Sequence, residues 1–312
     1  MISVIVCTYN RSESLRKTLG SLAQLWAPAG TSWELIVVDN NSTDDTAEVV
    51  KTFAAASSFS VRYVFEINQG LSHARNAGIS AARGDIVALT DDDVTVDPRW
   101  LCELRKIFDQ FGCIGVGGRV VPVWIGQKPP WLELDGPHSL RSGTVVSFDQ
   151  GEEPCELSTL PVGANMAFKK VAFEKHGFFR TDLGKRGNDL MTGEDTEFCT
   201  RLSRAGEKLV YAPSAVVYHP VPKVRLKRSH FMSYYFSYGR YLARLNGFPE
   251  NPTLYFGVPR YLFRSLLAHI YRWLFTFDSQ RRFRHKLQVC ESLGEISEAH
   301  RISMERREQV LG

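Results

Sequence analysis

Residues 86–97, Ile86-Val-Ala-Leu-Thr-Asp-Asp-Asp-Val-Thr-Val-Asp97, decide the fold. A short apolar run ends in three consecutive carboxylates, Asp91, Asp92 and Asp93. A strand buried on both faces accounts for the run. The carboxylates repel one another unless a cation neutralises them. Open α/β sheets place ligands at the carboxyl ends of their strands, so the segment reads as a divalent metal site at a strand end. A solvated acidic turn leading into a helix is the alternative on this segment alone.

The flanking sequence repeats the pattern. Ile2 to Cys7, Trp33 to Val38 and Val61 to Phe65 are further apolar runs of strand length. Helical segments follow them: 12–25, with Leu15, Leu19, Leu22 and Leu25 in register, then 44–53, and then the stretch from Asn68-Gln-Gly70 through Ala81. This alternation predicts an α/β fold with a doubly wound, mostly parallel sheet and right-handed crossovers. Asp97-Pro98 supplies an N-cap and a first-turn proline for a helix ending at Phe111.

From about residue 113 the alternation breaks. The stretch 119–160 reads as short strands around an irregular excursion, a length of loop that is usually functional or a lid. Within it, Trp124 or Trp131 either offers an aromatic stacking surface or packs the lid. Regular structure resumes at 162–168, with a helix through His176. Another helix opens at Gly193-Glu-Asp-Thr-Glu-Phe198 and closes at Gly206. Short strands at 209–211 and 215–218 then lead to His219.

Composition narrows the class. A net charge of +4 over 312 residues is too mild to argue for a nucleic-acid partner. Six scattered cysteines without CxxC spacing suit reduced thiols, neither a disulfide framework nor a zinc site. Neither a signal peptide nor an uncharged apolar span of membrane length is evident, so the expected location is cytoplasmic, including the inner face of a membrane. The chain has no P-loop and no GxGxxG after its first strand, which sets aside both nucleotide fingerprints.

Four strand ends carry polar residues that converge as in a nucleotide crevice: Thr8 to Arg11, Asp39, Asn68 to Gly70, and Asp91 to Asp93. Six motifs occur in order. They are Val6-Cys-Thr-Tyr-Asn-Arg11, Val37-Val-Asp-Asn-Asn-Ser-Thr-Asp44, Asn68-Gln-Gly70 with Ala74-Arg-Asn-Ala-Gly78, Asp91-Asp-Asp93, Gly163-Ala-Asn-Met-Ala-Phe168 and Gly193-Glu-Asp-Thr-Glu-Phe198. Together they resemble the family 2 glycosyltransferases over residues 1–222.

That resemblance implies a GT-A (Rossmann-like) domain over 1–222, with a nucleotide-binding half at 1–112 and an acceptor-binding, catalytic half at 113–222. It implies an inverting, hexosyltransferase-type enzyme. The sugar would pass from a nucleoside-diphosphate sugar, UDP-linked by preference, to a hydroxyl of a glycan or lipid-linked acceptor in polysaccharide or glycan assembly. Asp39 would accept a hydrogen bond from the base; an N-cap for the next helix is its structural alternative. Thr8, Tyr9, Asn10, Arg11, Asn68 and Gly70 would line the nucleotide. Arg75 would sit near the diphosphate, or pair with Asp39 or Asp91, or do both.

Asp91 and Asp93 match the family's Asp-x-Asp. Asp93 would ligate Mg²⁺ or Mn²⁺, and Asp91 would hold ribose, a metal-bound water or the metal itself, with Asp92 among the nucleotide-binding residues. His219 would be a third metal ligand or a structural histidine. Asp195 would be the general base, Glu194 would orient sugar or acceptor, and Gly163 and Asn165 would approach the donor sugar. Two rivals remain at this point: a haloacid-dehalogenase-type phosphatase using Asp91 as nucleophile, and a non-catalytic nucleotide-sugar-binding scaffold.

Residues 223–312 read as a basic helical extension. Apolar positions 262, 263, 266, 267, 270, 273 and 274 fall on one arc of a helix, with Arg260, Arg264, Ser265, His269 and Arg272 opposite. Such a helix lies on an anionic membrane through 255–277, packs on the catalytic domain, or joins two subunits in a homodimer.

Overall fold

The computed structural model describes residues 1–27, 31–136, 139–187, 189–247 and 253–311, with side chains as far as 306. The chain begins β1 (Ile2–Thr8), α1 (Ser12–Leu22), β2 (Trp33–Asp39), α2 (Thr46–Ala56), β3 (Ser60–Phe65), α3 (Leu71–Ala81) and β4 (Ile86–Asp91). It continues through β5 (Thr95–Val96), α4 (Trp100–Phe111), β6 (Gly115–Trp124), β7 (Cys155–Glu156) and β8 (Asn165–Lys169). Then come α5 (Val171–His176), α6 (Glu194–Arg204), β9 (Leu209–Val221) and α7 (Arg228–Asn246). The last elements are β10 (Leu254–Tyr255), β11 (Val258–Pro259), α8 (Arg260–Phe275) and α9 (Ser279–Leu311).

One sheet runs in the order β3-β2-β1-β4-β8-β6-β9-β5, with β7 also pairing β9. The strands β3, β2, β1 and β4 are parallel, while β8 runs against both β4 and β6. The chain leaves β1 for β2 and β3 on one side, then returns to place β4 on the other. That reversal opens a crevice beyond the carboxyl ends of β1 and β4.

Both faces of these strands are covered, which is why they read as unbroken apolar runs. Ile2, Val4 and Val6 of β1 face one core with Leu15, Leu19, Val50 and Leu101, whereas Ile5 faces the other with Ala74, Phe173 and Phe198. In β4, Ile86 and Ala88 join the first core, and Val87 and Leu89 the second. Helices α1, α2 and α4 therefore cover one face and α3, α5 and α6 the other. Truncating such a leucine to alanine costs about 2–5 kcal/mol.

Three local expectations change. Helix α4 starts at Trp100, because Asp97 closes a turn instead: its Oδ1 accepts from Arg99 N at 2.8 Å and its carbonyl from Trp100 N at 2.9 Å. The two short strands expected before His219 are one strand, β9, which pairs with β6 on both sides of an irregularity at Gly118/Arg119. The stretch 119–160 opens inside a ten-residue strand, β6, that starts at Gly115.

The chain forms two compact units: Met1–Ile125, Val145–Asn188 and Glu194–Val221 in the first, and Gly126–Thr144, Asp189–Gly193 and Pro222–Gly312 in the second. Segments 126–144 and 189–193, which a single cut at 222 leaves with the sheet, thus belong with the helices. Trp131 explains part of this, since its ring meets Phe231 and Phe283 edge-on at 5.1 and 5.2 Å, the packing alternative for that residue. Helices α7 and α9 approach closely where two glycines face backbone: a Cβ on Gly239 would lie 1.9 Å from the Glu291 carbonyl oxygen, and one on Gly294 1.9 Å from that of Phe236. Buried Glu298 of α9 accepts from Arg240 and Arg244 of α7 at 3.0 and 2.6 Å, and also from Arg301.

Candidate active site

The crevice between β1 and β4 gathers the acidic triplet. Thr8 Oγ1 donates to Asp92 Oδ2 at 2.7 Å, and the Arg11 guanidinium reaches Asp92 Oδ1 at 2.9 Å and Asp93 Oδ2 at 2.7 Å. The other oxygen of Asp93 lies 3.4 Å from His219 Nε2. His219 Nδ1 is 3.0 Å from the Pro220 carbonyl. The carbonyl makes Nδ1 the donor there and turns Nε2 toward the carboxylates. Ligand atoms of Asp91, Asp93 and His219 all lie within 4.8 Å of one another.

Charge follows from this packing. Burial pushes the Asp92 carboxyl up to about 7, with Asp93 adding and Arg11 opposing. Burial also works to raise Asp93, but His219 and Arg11 outweigh it and hold that carboxyl well below the usual range. The pair is thus asymmetric: Asp92 anchors the turn from within, and Asp93 keeps its charge toward His219.

A second group joins the first through Arg75 of α3. Its guanidinium is almost wholly buried, donates to Glu194 Oε1 at 2.6 Å and to the Gly163 carbonyl at 3.3 Å, and lies 3.8 Å from Asp91. A Cβ on Gly163 would sit 2.3 Å from Arg75 Nη2, so only glycine admits the guanidinium there. Gly163 N donates to Asp195 Oδ2 at 2.8 Å, and Asp195 Oδ1 accepts from Thr196 N at 2.7 Å. Burial and the Asp195 charge push Glu194 up to about 7, against the pull of Arg75. Since β8 pairs antiparallel with β4, with Asn165 opposite Thr90, this group stands beside the carboxyl end of β4.

The remaining residues divide by exposure. Asp39 is buried at the end of β2, where Oδ1 accepts from Ser42 N at 2.9 Å and Oδ2 from the Tyr63 hydroxyl at 2.7 Å. It closes the 39–42 turn and does not cap α2, whose N-cap is Asp45; Asp44 Oδ1, just before it, accepts from Thr46 N at 3.1 Å. A carboxylate offers about four acceptor positions, so two remain on Asp39. Arg75 pairs with Asp91 and Glu194, not with Asp39.

Tyr9, Asn10 and Asn68 are exposed, with Asn10 Oδ1 held by Thr43 N at 2.7 Å and Asn68 Nδ2 by Glu66 at 2.9 Å. Gly70 caps α3 with φ of +143°, and its N–H donates to Asn40 Oδ1 at 2.7 Å.

Three expected contact residues face inward. The Thr8 hydroxyl is taken by Asp92 and Glu194 by Arg75. Asn165 is fully buried, accepting from Trp100 Nε1 at 2.8 Å and donating to the carbonyls of Arg119 and Ala215, so its amide is not presented to a sugar. Two residues that sequence reasoning left without a role support the site. Asn40 ties β2 to the 66–70 turn through the Glu66 and Asn68 carbonyls, and Tyr63 holds Asp39. Asn40 stands in the Asp39-Asn40-Asn41 run at the end of β2; Tyr63, one of several residues alternating along a strand, gave no signal.

Comparison with known proteins agrees with this architecture. A mannosyltransferase from Pyrobaculum calidifontis, solved with GDP-Man and Mn²⁺, superposes with a TM-score of 0.59 over 97% of this chain and 75% of its own, at 19% identity, which shows the GT-A fold. Residues 3–177 match Glycosyl transferase family 2, and the chain belongs to that family of glycosyltransferases. Among its relatives, the glucosyl-dolichyl phosphate glucuronosyltransferase of Haloferax volcanii is 30% identical over 72% of this chain and 70% of its own. The succinoglycan biosynthesis protein ExoM of Rhizobium meliloti is 31% identical over 78% and 74%. Family membership sets aside the phosphatase and scaffold readings.

Proposed function

We propose that this glycosyltransferase moves a sugar, with inversion, from a nucleoside-diphosphate sugar to a hydroxyl of a glycan or lipid-linked acceptor in polysaccharide or glycan assembly. The observation that carries the reading is the chain of contacts from Asp91 through Arg75 to Glu194 and, by way of the Gly163 peptide, to Asp195. It joins a carboxylate on a backbone N–H to the Asp91, Asp93 and His219 cluster. The nucleotide sugar and Mn²⁺ bound by the Pyrobaculum enzyme support a donor and a cation of these classes.

The acceptor hydroxyl gives its proton to the Asp195 carboxylate as its oxygen attacks the anomeric carbon. On the opposite face the bond from that carbon to the diphosphate oxygen breaks, and the nucleoside diphosphate leaves with the electron pair. A single in-line displacement inverts the anomeric centre. Arg75 and Gly163 hold Asp195 in place, and the free acceptor positions of Asp39 suit the N3–H of uracil, which favours a UDP-sugar. Two carboxylates and an imidazole suit Mn²⁺ or Mg²⁺, held by Asp93, Asp91 and His219. When bound, the ion neutralises charge on the departing diphosphate.

Asp195→Asn tests the assignment. Transfer from UDP-sugars, followed as UDP release, is expected to fall about 10²–10⁴-fold, with UDP affinity in Mn²⁺ unchanged. Equal loss of binding and turnover would make Asp195 structural, and full activity would remove it from the chemistry.

A further inference from the structure

Helix α8 is apolar on more of its surface than its packing uses. Its inner face, with Leu262 buried and Phe263, Leu266, Ile270 and Trp273 half-buried, lies on α9, where Leu262 meets Val258, Ile296 and Ala299. The outer face does not carry only the polar residues expected of it. At 100° per residue Leu267, Tyr271, Leu274 and Phe275 form a second apolar stripe that faces solvent. Phe256 precedes it at 89% exposure and Phe277 follows at 97%. Arg264 and Arg272 are exposed beside this stripe, and among the described residues no carboxylate pairs with either. From Thr253 to Phe277 the chain holds three arginines and no Asp or Glu.

We propose that this outer face docks on the surface of an anionic phospholipid bilayer, with the aromatic and leucine side chains at the level of the acyl boundary and the arginines on lipid phosphates. The charge pattern selects the bilayer over a second copy of the chain. A symmetric dimer through this face would set Arg260, Arg264 and Arg272 against the same three residues, with no acid in the segment to pair them. A bilayer supplies both the apolar depth and the anions. The helix lies on the surface and does not cross it. Its 16 residues span about 24 Å, less than the roughly 30 Å hydrocarbon core, and no helix among the described residues is long and apolar enough to span. The inference does not depend on the donor or on Asp195.

The full chain is sedimented with vesicles of phosphatidylglycerol and phosphatidylcholine, and with vesicles of phosphatidylcholine alone. Binding is expected to the anionic vesicles, weakened by salt. It should drop at least about tenfold in Phe256→Ser/Phe275→Ser/Phe277→Ser and about 30-fold in Arg264→Ala/Arg272→Ala. Both variants alter exposed side chains, and unchanged thermal melts verify that they fold. No binding by the parent chain, or equal binding by folded variants, overturns the proposal. So does a lipid-free dimer that the serine variant dissociates, because the face then belongs to a second copy.

Discussion

Arg75 lies almost wholly buried between Glu194, the Gly163 carbonyl and Asp91, so it has no open fork to offer a phosphate. Its role at this scale is to hold Glu194, Asp91 and the Gly163 carbonyl in fixed relation. Arg75→Ala leaves Glu194 buried without its counter-ion. Removal of one partner of a buried pair costs about 3–5 kcal/mol, which urea denaturation reads directly. Arg75→Lys keeps the charge but cannot span three acceptors, and turnover should fall more than stability does. The acidic triplet was legible in sequence because like charges at the end of an apolar run demand a cation. Which carboxyl faces which partner was not. That depends on Thr8 and Arg11, more than eighty residues from Asp92, and on Tyr63, whose hydroxyl reaches Asp39 only after β2 and β3 pair.

Among elements, α7 and α9 depend on Glu298. Burial works to raise its carboxyl, but Arg301, Arg240 and Arg244 outweigh it and bring it down to about 2 from 4.5. A depressed carboxyl stabilises the fold above its unfolded value, and that contribution fades as pH falls from about 4.5 toward 2. Glu298→Gln should therefore be less stable than the parent by up to about 3 kcal/mol at pH 7 and converge with it near pH 2, in denaturation followed by circular dichroism. Strands β1 to β4 and helices α1 to α4 were readable from periodicity, since each is short and buried on a regular repeat. The segments after residue 113 were less so. Strand β9 continues through Pro213 because β6 pairs with it on either side, a long-range constraint that local sequence does not carry. Similarly, α8 showed its apolar arc in sequence but not which part of that arc α9 would cover.

At the scale of the molecule, the fold brings polar residues from the ends of β1, β2 and β4 to one edge of the sheet. In the proposed reaction a cation and a nucleotide share that edge. A thermal-shift panel of UDP, GDP, dTDP and ADP, each with and without Mn²⁺, tests this most directly. At ~100 times its dissociation constant a bound ligand stabilises the fold by about 2.7 kcal/mol, enough for a shift of several degrees. The expected result is a base-selective shift, largest for UDP, that requires Mn²⁺ and disappears in Asp93→Asn. A shift that ignores the metal, survives Asp93→Asn, or is absent for every nucleotide would contradict the account.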